Sequence, residues 1–359
     1  MGVSAAILTA AACAAKPAEP PLWSGSKFTR GERDRALLRG LEYIHELAED
    51  PETFDNNIGD FLWCDYAIVA TTPDPHLRYV AQSYGQKLAE RWKAKTRGLP
   101  LEADMHVVWE LASTLYVAES LGVPYETLRE QLEPRIAAIS VEDWLDFDPR
   151  REPPPTKRVV LKGKEACAAA GREAPVGGSC PDVKFRMTDL DIFYDAMITT
   201  YFGDRFGVTH GASFEDFARW LPQLYPYPTK EEEIGGEAFY DLIYVVTHVV
   251  YTHNDYGELG LSPLDLPEEF QFLRQTFHIP IEDEDCETYA EYVDTLKSFG
   301  VSPEDDRNMA LAIESLMALQ NVDGSWGAVE LDDVYDRFHT TWTAIEALRD
   351  YRFAASPSR

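Results

Sequence analysis

The chain of 359 residues is long, moderately hydrophobic and strongly acidic, with 45% hydrophobic residues and a formal net charge of −29. This length and composition allow one large core, so we expect residues 23–359 to form a single domain. The negative charge repels phosphate backbones and anionic lipid surfaces. It therefore excludes nucleic acid as an expected partner, disfavours a polyanionic substrate and leaves a small molecule as the expected one.

The N-terminus has the features of an export leader. Residues 3–15 form an apolar run of signal-peptide length, too short to span a bilayer, that ends in alanines before a Pro-rich stretch. Cys13 follows three alanines and suits a lipoprotein cleavage site. We predict a signal peptide or lipoprotein leader over residues 1–22, with a lipid anchor as the only membrane contact and the mature protein in the periplasm or at the cell surface. A truncated or unstructured leader is the alternative.

Apolar residues recur at three- and four-residue spacing in twelve segments, which predicts helices, and no convincing strand alternation is found. Breaks that contain Gly or Pro separate the segments. The segments are 31–49, 57–71, 75–96, 104–121, 124–140, 187–203, 213–223, 234–254, 266–278, 283–299, 304–320 and 336–351. Six helical hairpins can close into a ring that buries both helix seams, so the expected fold is all-α, an (α/α)6 toroid. An open α-solenoid is the alternative, but no repeat of about 34 to 47 residues is detectable.

Residues 149–186 interrupt the helical pattern. They include three consecutive prolines, Gly177-Gly178 and nine of the 33 Lys and Arg residues, which predicts a basic, irregular insertion. A lid over the mouth of the ring and a solvated loop are the two interpretations of this segment. Cys167 and Cys180 both lie in it, and because export permits disulfides they are the expected pair.

Two motifs lie near the C-terminus. Gln320–Trp326 reads Q-x-x-x-G-x-W, and Asp336-Arg337-Phe338-His339-Thr340 opens the last predicted helix. The first resembles the QW turn of terpenoid cyclases, and the second is similar to the start of a helix in protein prenyltransferase β-subunits. The resemblance implies an α/α toroid. It also implies a zinc site that combines His339 with Glu284-Asp285-Cys286, where Glu284 stands for the Asp of that family.

Polar residues cluster where five of the six even-numbered predicted helices begin. They are Asp55, Asn56, Asn57 and Asp60, then Asp104 and His106, then Asp189 and Asp191, then residues 282–286, and finally Asp336 and His339. In a toroid the even helices run parallel, so these side chains are expected to converge at one end of a cavity. Helix capping accounts for many of the Asp and Asn residues. An imidazole gains little at a helix N-terminus, so the histidines are the better functional candidates.

The eighth predicted helix is apolar nearly all round but carries a polar stripe. Tyr244, His248 and Thr252 follow one another at four-residue spacing. His248 is either a core histidine with a local hydrogen-bond partner or a cavity-facing catalytic or metal-binding histidine. Imidazoles from separate helices suit zinc or copper. The candidate metal ligands are His106, His210, His248 and His339.

These observations predict an exported toroid enzyme with a histidine-rich centre, with or without zinc or copper, that acts on a hydrophobic or isoprenoid-like small molecule. His248 and His339 would serve as metal ligands or as general base and acid, and Asp336 would orient His339. Aromatic residues on the even helices are expected to line the cavity. They are Trp63, Tyr66, Trp109, Phe193, Tyr194, Tyr244, Tyr251 and Trp342.

Two alternative functions use the same fold. A glycoside hydrolase or polysaccharide lyase would employ Asp104 with Asp191, or Tyr244 with His253, which places Tyr244 and Asp191 among the candidate catalytic residues. The other alternative is a surface protein that binds a partner without catalysis. Loss of function on replacement of His248 and His339 distinguishes the enzyme from this last class.

Overall fold

The computed structural model describes residues 19–172, 179–207, 211–329 and 333–355. Within these ranges the chain is mostly helical and forms no closed sheet, which confirms the all-α prediction. None of the helices in the described ranges has the length and apolar character needed to cross a bilayer. Residues 1–18 of the predicted leader, which include Cys13, lie outside the described residues.

The α-helices and strands are numbered in chain order. They are α1 (Arg30–Leu47), α2 (Pro51–Thr71), α3 (Pro75–Lys95), α4 (Met105–Ser120), α5 (Glu126–Ile136), α6 (Val141–Leu145), β1 (Thr156–Leu161), α7 (Gly163–Ala169), β2 (Val183–Thr188), α8 (Leu190–Phe206), α9 (Phe214–Ala218), α10 (Glu231–Ile234), α11 (Gly236–His253), β3 (Leu259–Gly260), α12 (Pro267–Thr276), α13 (His278–Glu282), α14 (Cys286–Ser298), α15 (Arg307–Leu319), α16 (Val334–Leu348) and β4 (Ala354–Ala355).

Six of these helices contact one another in an order that returns to its start. α2 packs against α4, α4 against α8, α8 against α11, α11 against α14, α14 against α16, and α16 against α2. They correspond to the even-numbered helices of the sequence prediction. Other helices bridge neighbours in this set: α1 contacts α2 and α16, α3 contacts α2 and α4, and α15 contacts α14 and α16.

The start of α2 differs from the prediction. The helix begins at Pro51 rather than at residue 57, because the side chain of Asp50 accepts a hydrogen bond from the backbone N–H of Thr53 (2.8 Å) and Pro51 needs no N–H partner at the first helical position. Asn57, expected near the helix start, lies inside the helix and donates to the carbonyl of Thr53 (2.9 Å). Asp55 and Asn56 likewise lie inside the helix.

The basic insertion contains a strand pair that the sequence analysis did not predict. β1 and β2 are antiparallel, with Thr156 opposite Thr188 and Leu161 opposite Val183. Cys167 and Cys180 form the expected disulfide, which packs with Leu161 and Ala166 in a small apolar cluster separate from the main core. The insertion is therefore ordered around its own core over the described residues, which exclude 173–178.

The turn at Gln320 ties the end of α15 to α1. Gln320 Nε2 donates to the carbonyl oxygens of Ala36 (2.8 Å) and Gly324 (3.0 Å). Arg39 Nη2 of α1 donates to the carbonyl oxygens of Asn321 (2.9 Å) and Val322 (2.6 Å). These bonds join segments at opposite ends of the sequence, so the glutamine of the QW-like motif has a structural role.

The glycine and tryptophan of the same motif complete this turn. Gly324 has a φ of +100°, and a Cβ at this position would lie 2.5 Å from the carbonyl oxygen of Arg39, so only glycine fits. Trp326 is 1% exposed, and its Nε1 donates to the carbonyl oxygen of Leu316 (2.7 Å). Its backbone N–H donates to Thr341 Oγ1 (3.1 Å). The turn therefore links α1, α15 and α16.

Candidate active site

A cavity of about 90 Å³ lies among α2, α11, α14 and α16. His248 of α11, Glu291 of α14 and His339 of α16 line it, so the two leading candidate histidines share one space. The other lining residues are Ala67, Tyr251, Tyr256, Asp294, Trp342, Thr343, Glu346 and Tyr351. Sequence-distant helices thus bring two imidazoles and three carboxyl groups together.

The cavity lies along the middle and last turns of these helices, whereas we expected it at their N-terminal ends. Three acids at helix starts serve as helix caps. Asp104 accepts from the backbone N–H of Val107 (3.0 Å), Asp285 from that of Thr288 (3.1 Å), and Asp333 from that of Tyr335 (2.8 Å). Asp104 is also exposed and does not line this cavity, although the carbohydrate hypothesis used it as a catalytic residue.

His339 is held by a carboxylate from the neighbouring helix. Its Nδ1 lies 2.8 Å from Oε1 of Glu287, and Thr340 Oγ1 donates to the other oxygen of Glu287 (2.8 Å). Burial alone would lower the pKa of His339, but the hydrogen bond and charge of Glu287 outweigh burial and raise it. Burial would raise the pKa of Glu287, but His339 lowers it below its usual value.

Asp336 does not orient His339 as predicted. The carboxylate of Asp336 is exposed one turn before His339, and Glu287 from α14 takes the hydrogen bond instead. The other ring nitrogen of His339, Nε2, makes no hydrogen bond within the described part of the chain. It is therefore available to a bound molecule.

His248 is a neutral imidazole within the same cavity. Its Nδ1 donates to the carbonyl oxygen of Tyr244 (2.8 Å), which assigns the proton to Nδ1 and leaves a lone pair on Nε2. Burial lowers the pKa of His248 to about 3, even though the bond to Tyr244 acts in the opposite direction. Nε2 has no hydrogen-bond partner among the described residues, so His248 can accept a hydrogen bond from a ligand.

Glu291 was not identified from the sequence. Its Oε2 accepts a hydrogen bond from Thr247 Oγ1 (2.7 Å), and burial raises its pKa to about 8. The carboxyl group is therefore largely protonated at neutral pH. A signal was present in the sequence, because Glu287, Glu291 and Asp294 occur at four- and three-residue spacing along one face of a predicted helix.

The end of the cavity nearest the helix C-termini carries balanced charges. Glu346 Oε2 accepts hydrogen bonds from Arg349 Nε (2.5 Å) and from the hydroxyl of Tyr351 (2.6 Å). Burial and the charge of Glu346 raise the pKa of Asp294. Lys297, whose own pKa burial lowers to about 8, donates to the carbonyl oxygen of Ala347 (2.8 Å). Two carboxylates face two cations, which leaves this end without a large net charge.

Tyr244 contacts the cavity histidine but lines a different cleft. Its hydroxyl lies 3.0 Å from that of Tyr194, and both rings pack against His248. The two tyrosines border a cleft of about 280 Å³ together with Leu190, Asp191, Asp195, Asp241 and Val245. Asp191 is exposed there and accepts a hydrogen bond from Lys157 (3.1 Å), so it is not part of the histidine cavity.

Of the other predicted metal ligands in the described part of the chain, none lies in this cavity. His106 is exposed at the start of α4, and His210 lies outside the described residues. Cys286, implied by the prenyltransferase resemblance, has a pKa raised to about 11 by burial, which favours the thiol over the thiolate that binds zinc. No group of three or more His, Cys, Asp or Glu side chains arranged to hold a metal ion occurs in the described part of the chain.

The remaining candidate residues are His253 and the aromatic side chains that were expected to line the cavity, and most of them pack within the core. His253 Nδ1 donates to the carbonyl oxygen of Val249 (2.7 Å), and its ring packs against Phe214. Of the aromatic residues expected around the cavity, Tyr251 and Trp342 line it. Phe193 is fully buried in the core, and Trp63 packs against other aromatic rings. Aromatic side chains fill much of the space between the helices, which keeps the cavity small.

The cavity thus contains a basic ring nitrogen, a protonated carboxyl group and a hydrogen-bond acceptor. His339 Nε2 and the carboxyl of Glu291 have the properties of a general base and a general acid, respectively. His248 Nε2 is positioned to orient a bound group. Comparisons with protein-family models, with curated proteins and with solved structures found no match to this chain.

Proposed function

We propose that the protein is an acid–base enzyme whose active site is the cavity lined by His248, Glu291 and His339. The observation that carries this proposal is the hydrogen bond between His339 and Glu287, which leaves Nε2 of His339 unpartnered in a cavity that also contains a protonated carboxyl group. A carboxylate on one ring nitrogen fixes the tautomer and increases the basicity of the other.

In the proposed reaction, His339 Nε2 removes a proton from one atom of the substrate, and Glu291 donates its proton to another atom. The substrate is thereby isomerised without gain or loss of atoms, and proton exchange with water returns both side chains to their starting states. His248 Nε2 accepts a hydrogen bond from a substrate hydroxyl or amide and orients it. Because the base must be unprotonated and the acid protonated, activity should rise through the pKa of His339 and fall near pH 8.

Size and charge favour a small uncharged substrate. The cavity of about 90 Å³ is smaller than the engineered cavity of roughly 150 Å³ that binds benzene, and below the roughly 300–1,000 Å³ of typical ligand pockets. It therefore suits a short molecule or the end group of a longer hydrophobic or isoprenoid-like one. The charge balance between Asp294, Glu346, Lys297 and Arg349 gives no reason to select a charged ligand.

The proposed enzyme has the (α/α)6 toroid fold of the terpenoid cyclase and prenyltransferase superfamily. The closed order of helix contacts supports this, since an open solenoid leaves its first and last helices apart, whereas α16 contacts both α1 and α2. The bonds of Gln320 and Trp326 give the QW-like motif a role at the point where the two chain ends meet.

Export is part of the proposal. The Cys167–Cys180 disulfide supports an oxidising compartment, in agreement with the predicted leader. Fractionation of cells that express the full chain should recover it in the periplasm or at the surface, and cytoplasmic recovery of the unprocessed chain would contradict export.

Zinc or copper is kept as a separate hypothesis. The described residues offer the free ring nitrogens of His248 and His339, one fewer than the three protein ligands of a typical catalytic zinc site. No step of the proposed reaction is therefore assigned to a metal. Elemental analysis after growth with added zinc and copper tests this, because a bound metal should disappear in a His248→Ala, His339→Ala double variant.

Proton transfer can be tested before the substrate is known. The protein is incubated in D2O with pools of small uncharged apolar compounds, and mass spectrometry detects deuterium in the recovered compounds. We expect His339→Asn and Glu291→Gln to reduce labelling by about 100- to 10,000-fold, and the exposed control His106→Ala to label like the wild type. Labelling by His339→Asn equal to that by the wild type would contradict the proposal, and no labelling by either protein would favour a binding protein.

One observation favours the carbohydrate alternative. In the separate cleft, burial and the charge of Asp191 raise the pKa of Asp195, as expected for a general acid beside a carboxylate. Release of reducing ends from neutral or acidic polysaccharides, abolished by Asp195→Asn but unaffected by His339→Asn, would identify this cleft as the active site instead.

A further inference from the structure

We propose that Tyr351 sets the length of the molecule that the cavity accepts. This inference rests on the proposed function, in which the cavity binds the substrate. Tyr351 follows the last helix and lies in the C-terminal segment 349–355 rather than in one of the helices that carry His248, Glu291 and His339. It lines the cavity on the side of the helix C-termini, beside Glu346 and Asp294.

The C-terminal segment crosses the ends of the helices that form the cavity. The backbone N–H of Arg352 donates to the carbonyl of Thr71 at the end of α2 (2.7 Å). The backbone N–H of Ala354 donates to the carbonyl of Glu258, just after α11 (2.7 Å), and β4 pairs with β3. Tyr351 is therefore carried by a segment that is fixed on two sides of the cavity.

The side chain of Tyr351 is also fixed. Its ring stacks on Phe353 with centroids 5.0 Å apart, and the guanidinium of Arg349 lies 3.8 Å from the ring centroid. The hydroxyl donates to Glu346 (2.6 Å). A Cβ on Gly257, which has a φ of +89°, would lie 2.4 Å from Cε1 of Tyr351, so the turn after α11 is shaped around this ring. The ring is thus a rigid wall.

Among the aromatic lining residues, Tyr351 is the one that lies outside both the helices and the aromatic cluster around Trp63. Tyr251 and Trp342 belong to α11 and α16, and Tyr256 packs against Trp63, Tyr201, Phe202 and Tyr251. Truncating Tyr351 lengthens the cavity and leaves the hydrogen bonds of His339 and Glu291 unchanged. Each additional methylene that becomes buried should then improve affinity about fourfold.

The test uses straight-chain primary alcohols of increasing length as probes, with the His339 ring signals in NMR spectra of the full chain reporting binding in this cavity. Wild-type affinity should rise with chain length up to a maximum and then fall. Tyr351→Ala should move this maximum to a longer alcohol, and Tyr351→Leu, which keeps an apolar side chain, should move it less.

Two control variants distinguish the effect of side-chain volume on the preferred alcohol length from the effect of loosening the C-terminal segment. Tyr351→Phe removes the bond to Glu346 but keeps the ring, so the maximum should stay at the wild-type length. Phe353→Leu loosens the stacking on Tyr351 outside the cavity, and the maximum should again stay at the wild-type length. An unchanged maximum in Tyr351→Ala, an equal change in Phe353→Leu, or no alcohol binding by the wild type would overturn the proposal.

The outcome is separable from that of the proposed function. A moved maximum without deuterium labelling would support the role of Tyr351 and contradict the acid–base enzyme. Deuterium labelling with an unmoved maximum would support the acid–base enzyme and contradict the role of Tyr351.

Discussion

Nδ1 of His339 lies 2.8 Å from Oε1 of Glu287, so one hydrogen bond connects α16 to α14 beside the cavity. The two residues are 52 positions apart in the sequence. The bond defines the tautomer of the imidazole and directs its other nitrogen to the cavity. Both the proposed chemistry and the protonation of His339 depend on it.

Replacing Glu287 with Gln should lower the pKa of His339. The carboxylate opposes the effect of burial in the wild type, and without its charge burial should dominate. We expect a decrease in the pKa of His339, measured by NMR titration of the ring nitrogens. Glu282→Gln, at an exposed position before α14, should leave the pKa of His339 unchanged. An unchanged pKa in Glu287→Gln would show that this bond does not control the imidazole.

Glu291→Gln should stabilise the protein at alkaline pH. The folded-state pKa of about 8 exceeds that of an unfolded glutamate, 4.5, so wild-type stability falls as pH rises between these values, and the full penalty remains above pH 8. An amide has no such penalty. The variant should be similar to the wild type at pH 4 and more stable at pH 9, by on the order of 4 kcal/mol in urea unfolding.

The control for this pH effect is Glu42→Gln, an exposed position on α1. Its stability relative to the wild type should not change between these two pH values. A constant difference between Glu291→Gln and the wild type would mean that Glu291 is ionised in the folded protein at neutral pH.

Gln320→Ala should destabilise the whole domain. The change removes the donors to the carbonyl oxygens of Ala36 and Gly324, and therefore weakens the link between α15 and α1. We expect the free energy of unfolding to fall by about 1–3 kcal/mol. Gln271→Ala, at an exposed position of α12, should have little effect in the same urea titration. Equal stability of the two variants would argue against a structural role for the QW-like turn.

Reduction of the Cys167–Cys180 disulfide should affect the insertion more than the helices. The bond closes a short loop around its own apolar cluster and should stabilise that unit by about 3 kcal/mol. Hydrogen exchange of amides in β1 and β2 should therefore accelerate, while that in α11 and α14 stays slow. A Cys167→Ser, Cys180→Ser double variant should not respond to reductant. Uniform acceleration in all helices would show that the bond supports the entire domain.

The positions of the longer helices and the approach of two histidines were predictable from the sequence, whereas the segments predicted at 124–140 and 213–223 form the shorter helices α5 (Glu126–Ile136) and α9 (Phe214–Ala218). The segment predicted at 104–121 became α4, Met105–Ser120, because Asp104 caps it and apolar residues recur at helical spacing. The prediction that alternate helices share one cavity placed His248 and His339 on the same set, and both line the cavity. Regular periodicity and capping are local properties, so they can be read from neighbouring residues.

The partners of these histidines could not be read in the same way. Asp336 is near His339 in sequence, but Glu287 on another helix makes the bond, and acidic residues on amphipathic helices usually face solvent. The strand pair was missed although Val183, Phe185 and Met187 alternate with Lys184 and Arg186. Six-residue strands within a basic loop give a weak signal, and only pairing with β1 makes them stable.

The bonds of Arg39 and Gln320 join positions that are more than 280 residues apart, and Arg39 reaches the turn only when the last helices are present. During synthesis, this contact therefore cannot form until nearly the entire chain has been translated. Such late, long-distance closure slows the final folding step.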